Sequence, residues 1–104
     1  MAETKDRLNK IIKSFLAEIQ KHYQIDDAYL YGSFAKGRPN EWSDIDIAII
    51  SPDFSDDLFE ERLLLMKLAS IIDDRIEPMP FKKEAFNRNN PIVDEIQKNG
   101  IRLI

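Results

Sequence analysis

The segment SDIDIAII, residues 43 to 50, limits the fold of this chain more than any other. Read as a strand, it puts Asp44, Asp46 and Ala48 on one face and Ile45, Ile47 and Ile49 on the other. The isoleucine face demands a hydrophobic core. The opposite face carries two carboxylates about 7 Å apart along the backbone. Burying an unpaired carboxylate is costly, and two of one sign repel. A positive group is therefore expected between them, on a sheet whose two faces serve different ends.

Around this strand the chain alternates between helix and strand patterns. Leu8, Ile11, Ile12, Phe15, Leu16, Ile19 and Tyr23 recur at helical spacing and predict an amphipathic helix over residues 3 to 24. His22, at the margin of that stripe, reads as a packing residue. DDAYLYG, residues 26 to 32, predicts a strand. SFAKG reads as one short helical turn closed by Gly37, and RPNEW as a loop in which Arg38 is solvated and Trp42 packs over the loop.

SPDFSDD supplies the Ser and Asp residues of a helix start, and a helix is predicted over 57 to 74. RIEPMPF, residues 75 to 81, predicts a strand with Arg75, Glu77 and Met79 on one side, and its prolines suggest an edge position or an early strand end. Asn90-Pro91 opens a last helix, stopped by Asn99-Gly100 before a closing strand IRLI. The order is α-β-α-β-α-β-α-β. It predicts an α/β (α+β) fold, a small mixed β-sheet flanked by helices, in one domain over 1–104.

The helix predicted over 57 to 74 is apolar around most of its circumference, with Leu58, Phe59, Leu63, Leu64, Leu65, Met66, Leu68, Ala69, Ile71 and Ile72. A surface helix needs a stripe of roughly 100°. Either the sheet and its neighbours cover the helix well, or an exposed remainder binds another chain, a different protein or a second copy.

The acids carry the chemistry. Asp44 and Asp46 project from one strand face, and Mg²⁺ commonly takes one or two carboxylates together with phosphate oxygens. Two ions about 4 Å apart can stabilise the attacking and leaving oxygens of an in-line displacement at phosphorus. Glu77 is placed to be a third acid, with Asp73 and Asp74 as rivals. Gly32-Ser33 lets the backbone approach a phosphate, with N–H groups and the Ser33 hydroxyl aimed at an anion. Lys36 adds a positive charge about one turn on. Cradle, paired acids and third acid together make a phosphoryl-transfer layout.

Gly32-Ser33, a spacer of ten residues and then Asp44-Ile45-Asp46 resembles the nucleotidyltransferase signature. The chain is similar to the minimal nucleotidyltransferase (MNT) group of the polymerase-β-like superfamily, from its first helix to IRLI. The resemblance implies metal ligation by Asp44, Asp46 and Glu77 and triphosphate binding by Gly32, Ser33 and Lys36. Lys36 stands where relatives commonly have arginine, and Glu77 where they usually have aspartate. The implied reaction is attack of an acceptor hydroxyl on the α-phosphorus of a nucleotide such as ATP, with pyrophosphate released. Larger relatives add a second domain after the catalytic core, and none is expected within these residues. In the minimal group the usual partner is a helical HEPN-domain toxin, neutralised by complex formation, by AMP transfer to a tyrosine, or by both.

The totals narrow the classes. A net charge of −4 and a pI near 5.0 argue against a general nucleic-acid surface. Nowhere do about eighteen apolar residues run together, so no membrane span is expected. No cysteine is present, which suits a reducing, cytoplasmic setting. The N-terminal stretch MAETKDRLNK is charged and has no apolar core of signal-peptide type, so no signal peptide is expected. Two functions stand: a metal-dependent transferase acting on a protein partner, and a binding module that neutralises a partner by occlusion with little or no catalysis.

Overall fold

The computed structural model describes residues 5–37, 44–87 and 89–104. Three helices and four strands follow in the order α1 (Lys5–Ile19), β1 (Asp27–Tyr31), β2 (Ile45–Ile50), α2 (Leu58–Ile72), β3 (Ile76–Phe81), α3 (Pro91–Asn99) and β4 (Ile101–Arg102). A 3₁₀ turn, Lys83–Ala85, precedes α3. The sheet order is β3-β2-β1-β4. β1 pairs antiparallel with β2 and β4, whereas β2 and β3 run parallel. The expected mixed sheet with flanking helices is what forms.

The two sheet faces divide as the alternation of β2 requires. Ile45, Ile47 and Ile49 join Ala28 and Leu30 in the main core, which Phe15 and Ile19 of α1 and Leu65 and Ala69 of α2 close. The other face packs Ala48, Ile50 and Phe81 against Val93 and Ile96 of α3. There Phe86 stacks on Tyr29 with ring centroids 5.7 Å apart and meets Phe81 edge-on. Among the described residues, α3 packs on the part of this face that holds Ala48, Ile50 and Phe81, and Tyr31, Asp46 and Glu77, where β1 stops and β2 and β3 begin, are only half-buried.

Two elements depart from the sequence reading. The first helix ends at Ile19, not 24, and His22 falls in the following turn, exposed rather than packed. The cause is tertiary. The Tyr23 hydroxyl donates to Glu61 at 3.0 Å, its ring meets Phe54, and Ser51 Oγ donates to the Gln24 carbonyl. These contacts turn the chain into β1. Residues 32–37 make no separate helix. One helical bond, Lys36 N to Gly32 O at 3.1 Å, forms and is not continued, because Gly32 and Gly37 both take left-handed φ values of +72° and +70°. The second α of the predicted order is therefore a turn. Arg38 and Trp42 lie outside the described residues.

β3 lies at the sheet edge, as its prolines suggest. Ile45 N donates to Arg75 O and Ser51 N to Phe81 O, so the odd positions face β2. Pro78 and Pro80 fall on the open side, where no donor is needed. Asn90 caps α3 through its side chain on Ile92 N at 2.9 Å, with Pro91 in the first turn. In α2, Leu65, Leu68 and Ala69 are buried, but Phe59 and Ile71 remain 70% and 72% exposed, with Leu63 and Met66 also on the surface. The sheet therefore does not cover the apolar circumference of that helix.

Phe15 is fully buried between the helices and the sheet. Phe15→Ala is expected to cost about 3–5 kcal/mol in urea unfolding. Asn90→Ala, which removes only the cap of α3, should cost about 1 kcal/mol.

Candidate active site

The sheet register brings the predicted acids together. Asp46 of β2 pairs across to Tyr31 of β1 on one side and Glu77 of β3 on the other, so all three side chains share the α3-side face. Asp44 stands just before β2 and is exposed. Burial first, then the charges of Asp44 and Glu77, pushes the Asp46 carboxyl above the usual carboxylate range. The charges of Asp44 and Glu77 thus both bear on Asp46 at a single end of the sheet. Burial and then Asp46 push the Tyr31 hydroxyl up to about 12, with Glu77 adding to the effect and Arg62 opposing it.

Gly32 follows Tyr31 directly and is the tight point of the site. A Cβ placed there would run into the Asp46 carboxylate, led by Oδ2. Glycine therefore serves twice at this position, through its left-handed φ and through the space it leaves beside Asp46. Ser33, half-buried, continues the same turn. Lys36 is turned to α3, where Nζ pairs with Glu95 Oε1 at 2.8 Å, and that bond, followed by one from Asn99, holds Glu95 below its ordinary range. The structure thus gathers Asp44, Asp46 and Glu77 with Gly32 and Ser33, and engages Lys36 elsewhere.

Of the rivals to Glu77, Asp73 caps the end of α2 and binds Arg75 through its backbone N and guanidinium, and Asp74 is exposed in the turn. Arg62 was not singled out by the sequence reading. It reaches from α2 to Glu77, with NH2 3.5 Å from Oε2. Its position within an apolar helix gives no sequence signal of this role, because only the packing of α2 on β3 brings the two side chains together.

Among the described residues, no three His, Cys, Asp or Glu side chains converge as a ready-made metal cage. The donor set is nevertheless hard oxygen. Asp44 and Asp46, the latter packed against Gly32, match the one or two carboxylates that Mg²⁺ uses with phosphate oxygens. The residues fit a divalent cation shared with a phosphate ligand. No helix among the described residues is long and apolar enough to cross a membrane.

The fold and this acid-and-glycine site define a protein of the phosphoryl-transfer class. The chain belongs to the nucleotidyltransferase domain family, whose model matches residues 10–103. Protein adenylyltransferase MntA of Shewanella oneidensis is 39% identical over 69 residues, covering 66% of this chain and 47% of that protein. The chain thus matches about half the length of that relative. A structure of an MntA–HpeT toxin–antitoxin mutant, in which two aspartates two positions apart are changed to glutamate, is 28% identical. It covers 92% of this chain and 71% of its own, with a TM-score of 0.62. A toxin–antitoxin structure with AMP-PNP, 24% identical, has the same fold at a TM-score of 0.66, covering 92% of this chain and 72% of its own.

Gly32→Ala is expected to cost at least about 1–2 kcal/mol in urea unfolding from its left-handed backbone alone, and to displace the Asp46 carboxylate. Asp46→Asn should raise the melting temperature at pH 7. The folded state holds the Asp46 proton more tightly than the unfolded chain, so its charge opposes folding above the raised pKa. That benefit of Asn should shrink as pH falls through the folded pKa and the wild-type carboxyl takes up its proton. Melting curves across pH check both.

Proposed function

We propose that this chain is a Mg²⁺-dependent nucleotidyltransferase that moves a nucleoside monophosphate, AMP from ATP, to a hydroxyl of a protein partner. The observation that carries this reading is the packing of Gly32 against Asp46, with Asp44 and Glu77 at the same end of the sheet. Family membership over residues 10–103 supports the reaction class. The likeness to an adenylyltransferase supports AMP as the group moved.

Asp44, Asp46 and Glu77 would hold Mg²⁺, with two ions expected, and the bound metal supplies charge neutralisation on the phosphate oxygens. Gly32 and Ser33 present backbone N–H groups and a hydroxyl to the β- and γ-phosphates, and Lys36 joins them on leaving Glu95. The acceptor oxygen forms a bond to the α-phosphorus as the bond from that phosphorus to the bridging oxygen breaks, and pyrophosphate departs. Glu77 takes the hydroxyl proton. The protein contributes position and electrostatics, with no covalent enzyme intermediate.

The partner we propose is a helical HEPN-domain toxin, with this chain as its cytoplasmic antitoxin. The likeness to a toxin–antitoxin structure supports that pairing. A second reading is a binding module that neutralises the partner by occlusion, and the exposed apolar residues of α2 favour it.

Incubation with ATP, Mg²⁺ and a native cell extract tests the two. Label from α-phosphate, and none from γ-phosphate, is expected to enter a protein band. Asp44→Asn/Asp46→Asn should abolish it. Capture of a partner with no label from any nucleoside triphosphate would leave the binding module.

A further inference from the structure

The three acids do not close into one cage, and the contacts of Glu77 supply a reason. Among the described residues, Lys36 is held by Glu95 and Arg75 binds Asp73, whereas Arg62 reaches Glu77. We propose that Arg62 is a positioning residue that draws Glu77 away from the Asp44–Asp46 pair until a divalent cation replaces it. This rests on the reading of those acids as a nucleotidyl-transfer site.

Three observations carry the inference. The contact is a single one, from NH2 to Oε2 at 3.5 Å, rather than the two-bond fork that arginine makes with a firmly held carboxylate. Arg62 Nε is shut off from solvent and finds no acceptor among the described residues, so the guanidinium is only partly satisfied by them. Its stem lines a groove of about 350 Å³ between α2 and the edge of β3, with Phe59, Met79 and Pro80, which fixes the charge beside the acids. A half-made ion pair on a packed stem is easily exchanged for another cation. Glutamate, longer than aspartate by one methylene, has the reach to swing between the two.

Removing the Arg62 charge should therefore free Glu77 and take away a competing cation. Titration of the full chain with Mn²⁺, read by the electron paramagnetic resonance of the free ion, measures this without nucleotide or turnover. Arg62→Gln is expected to bind Mn²⁺ roughly three- to tenfold tighter than wild type, and Arg62→Lys to stay close to wild type. In a Glu77→Gln background the gain from Arg62→Gln should fall by at least about half, since only through-space repulsion remains. Arg62→Met, which keeps an apolar stem in the groove, serves where Gln does not fold. Unchanged or weaker Mn²⁺ binding in both folded variants, with binding still dependent on Asp44 and Asp46, would overturn the role of Arg62 and leave the site reading intact. No Mn²⁺ binding by wild type or any variant would overturn the site reading and the proposal with it.

Discussion

A carboxylate on an inner strand has to be tolerated before anything else at this end of the sheet can work. Asp46 lies between Tyr31 and Glu77, half-buried, with its oxygen against the backbone of Gly32. Neither neighbour across the sheet offers it a positive charge. Its raised affinity for a proton is the electrostatic record of that placement. The rest of the molecule accommodates the strain by separating functions between faces. The isoleucines of β2 anchor the strand in a core built by α1 and α2, and leave its acids on the side that α3 only partly covers.

This division explains why the site can be intrinsically unfavourable and still persist. Buried apolar surface on one face stabilises by about 25 cal/mol per Å² removed from water, and it holds β2 in place whatever the other face carries. Charges that oppose folding in the free protein are the same charges that a cation and a triphosphate would relieve on binding. Under the proposed reaction, ligand binding and stability rise together, and the free chain is the less stable state.

Much of this was legible in the sequence, for identifiable reasons. The alternation in residues 43 to 50 sets which acids share a face, and Glu77 follows by the same period on β3. The double proline of β3 leaves an edge or an early strand end open, and the edge is what forms, because Pro78 and Pro80 fall on the side that faces away from β2. What failed to read was decided by distant contacts. Helical periodicity continues to Tyr23, yet Glu61, Phe54 and Ser51 claim Tyr23 and Gln24 for a turn. Arg62 is fifteen residues from Glu77, and nothing at either position announces the other.

The edge prolines also bear on assembly. A sheet grows by adding a strand wherever backbone donors and acceptors are left open. Here Pro78 and Pro80 remove the outward donors of β3, and the opposite margin, β4, is only two residues long. Among the described residues, neither margin presents a long row of open donors on which another chain could continue the ladder. Growth of the sheet from one copy to the next is therefore disfavoured at both margins.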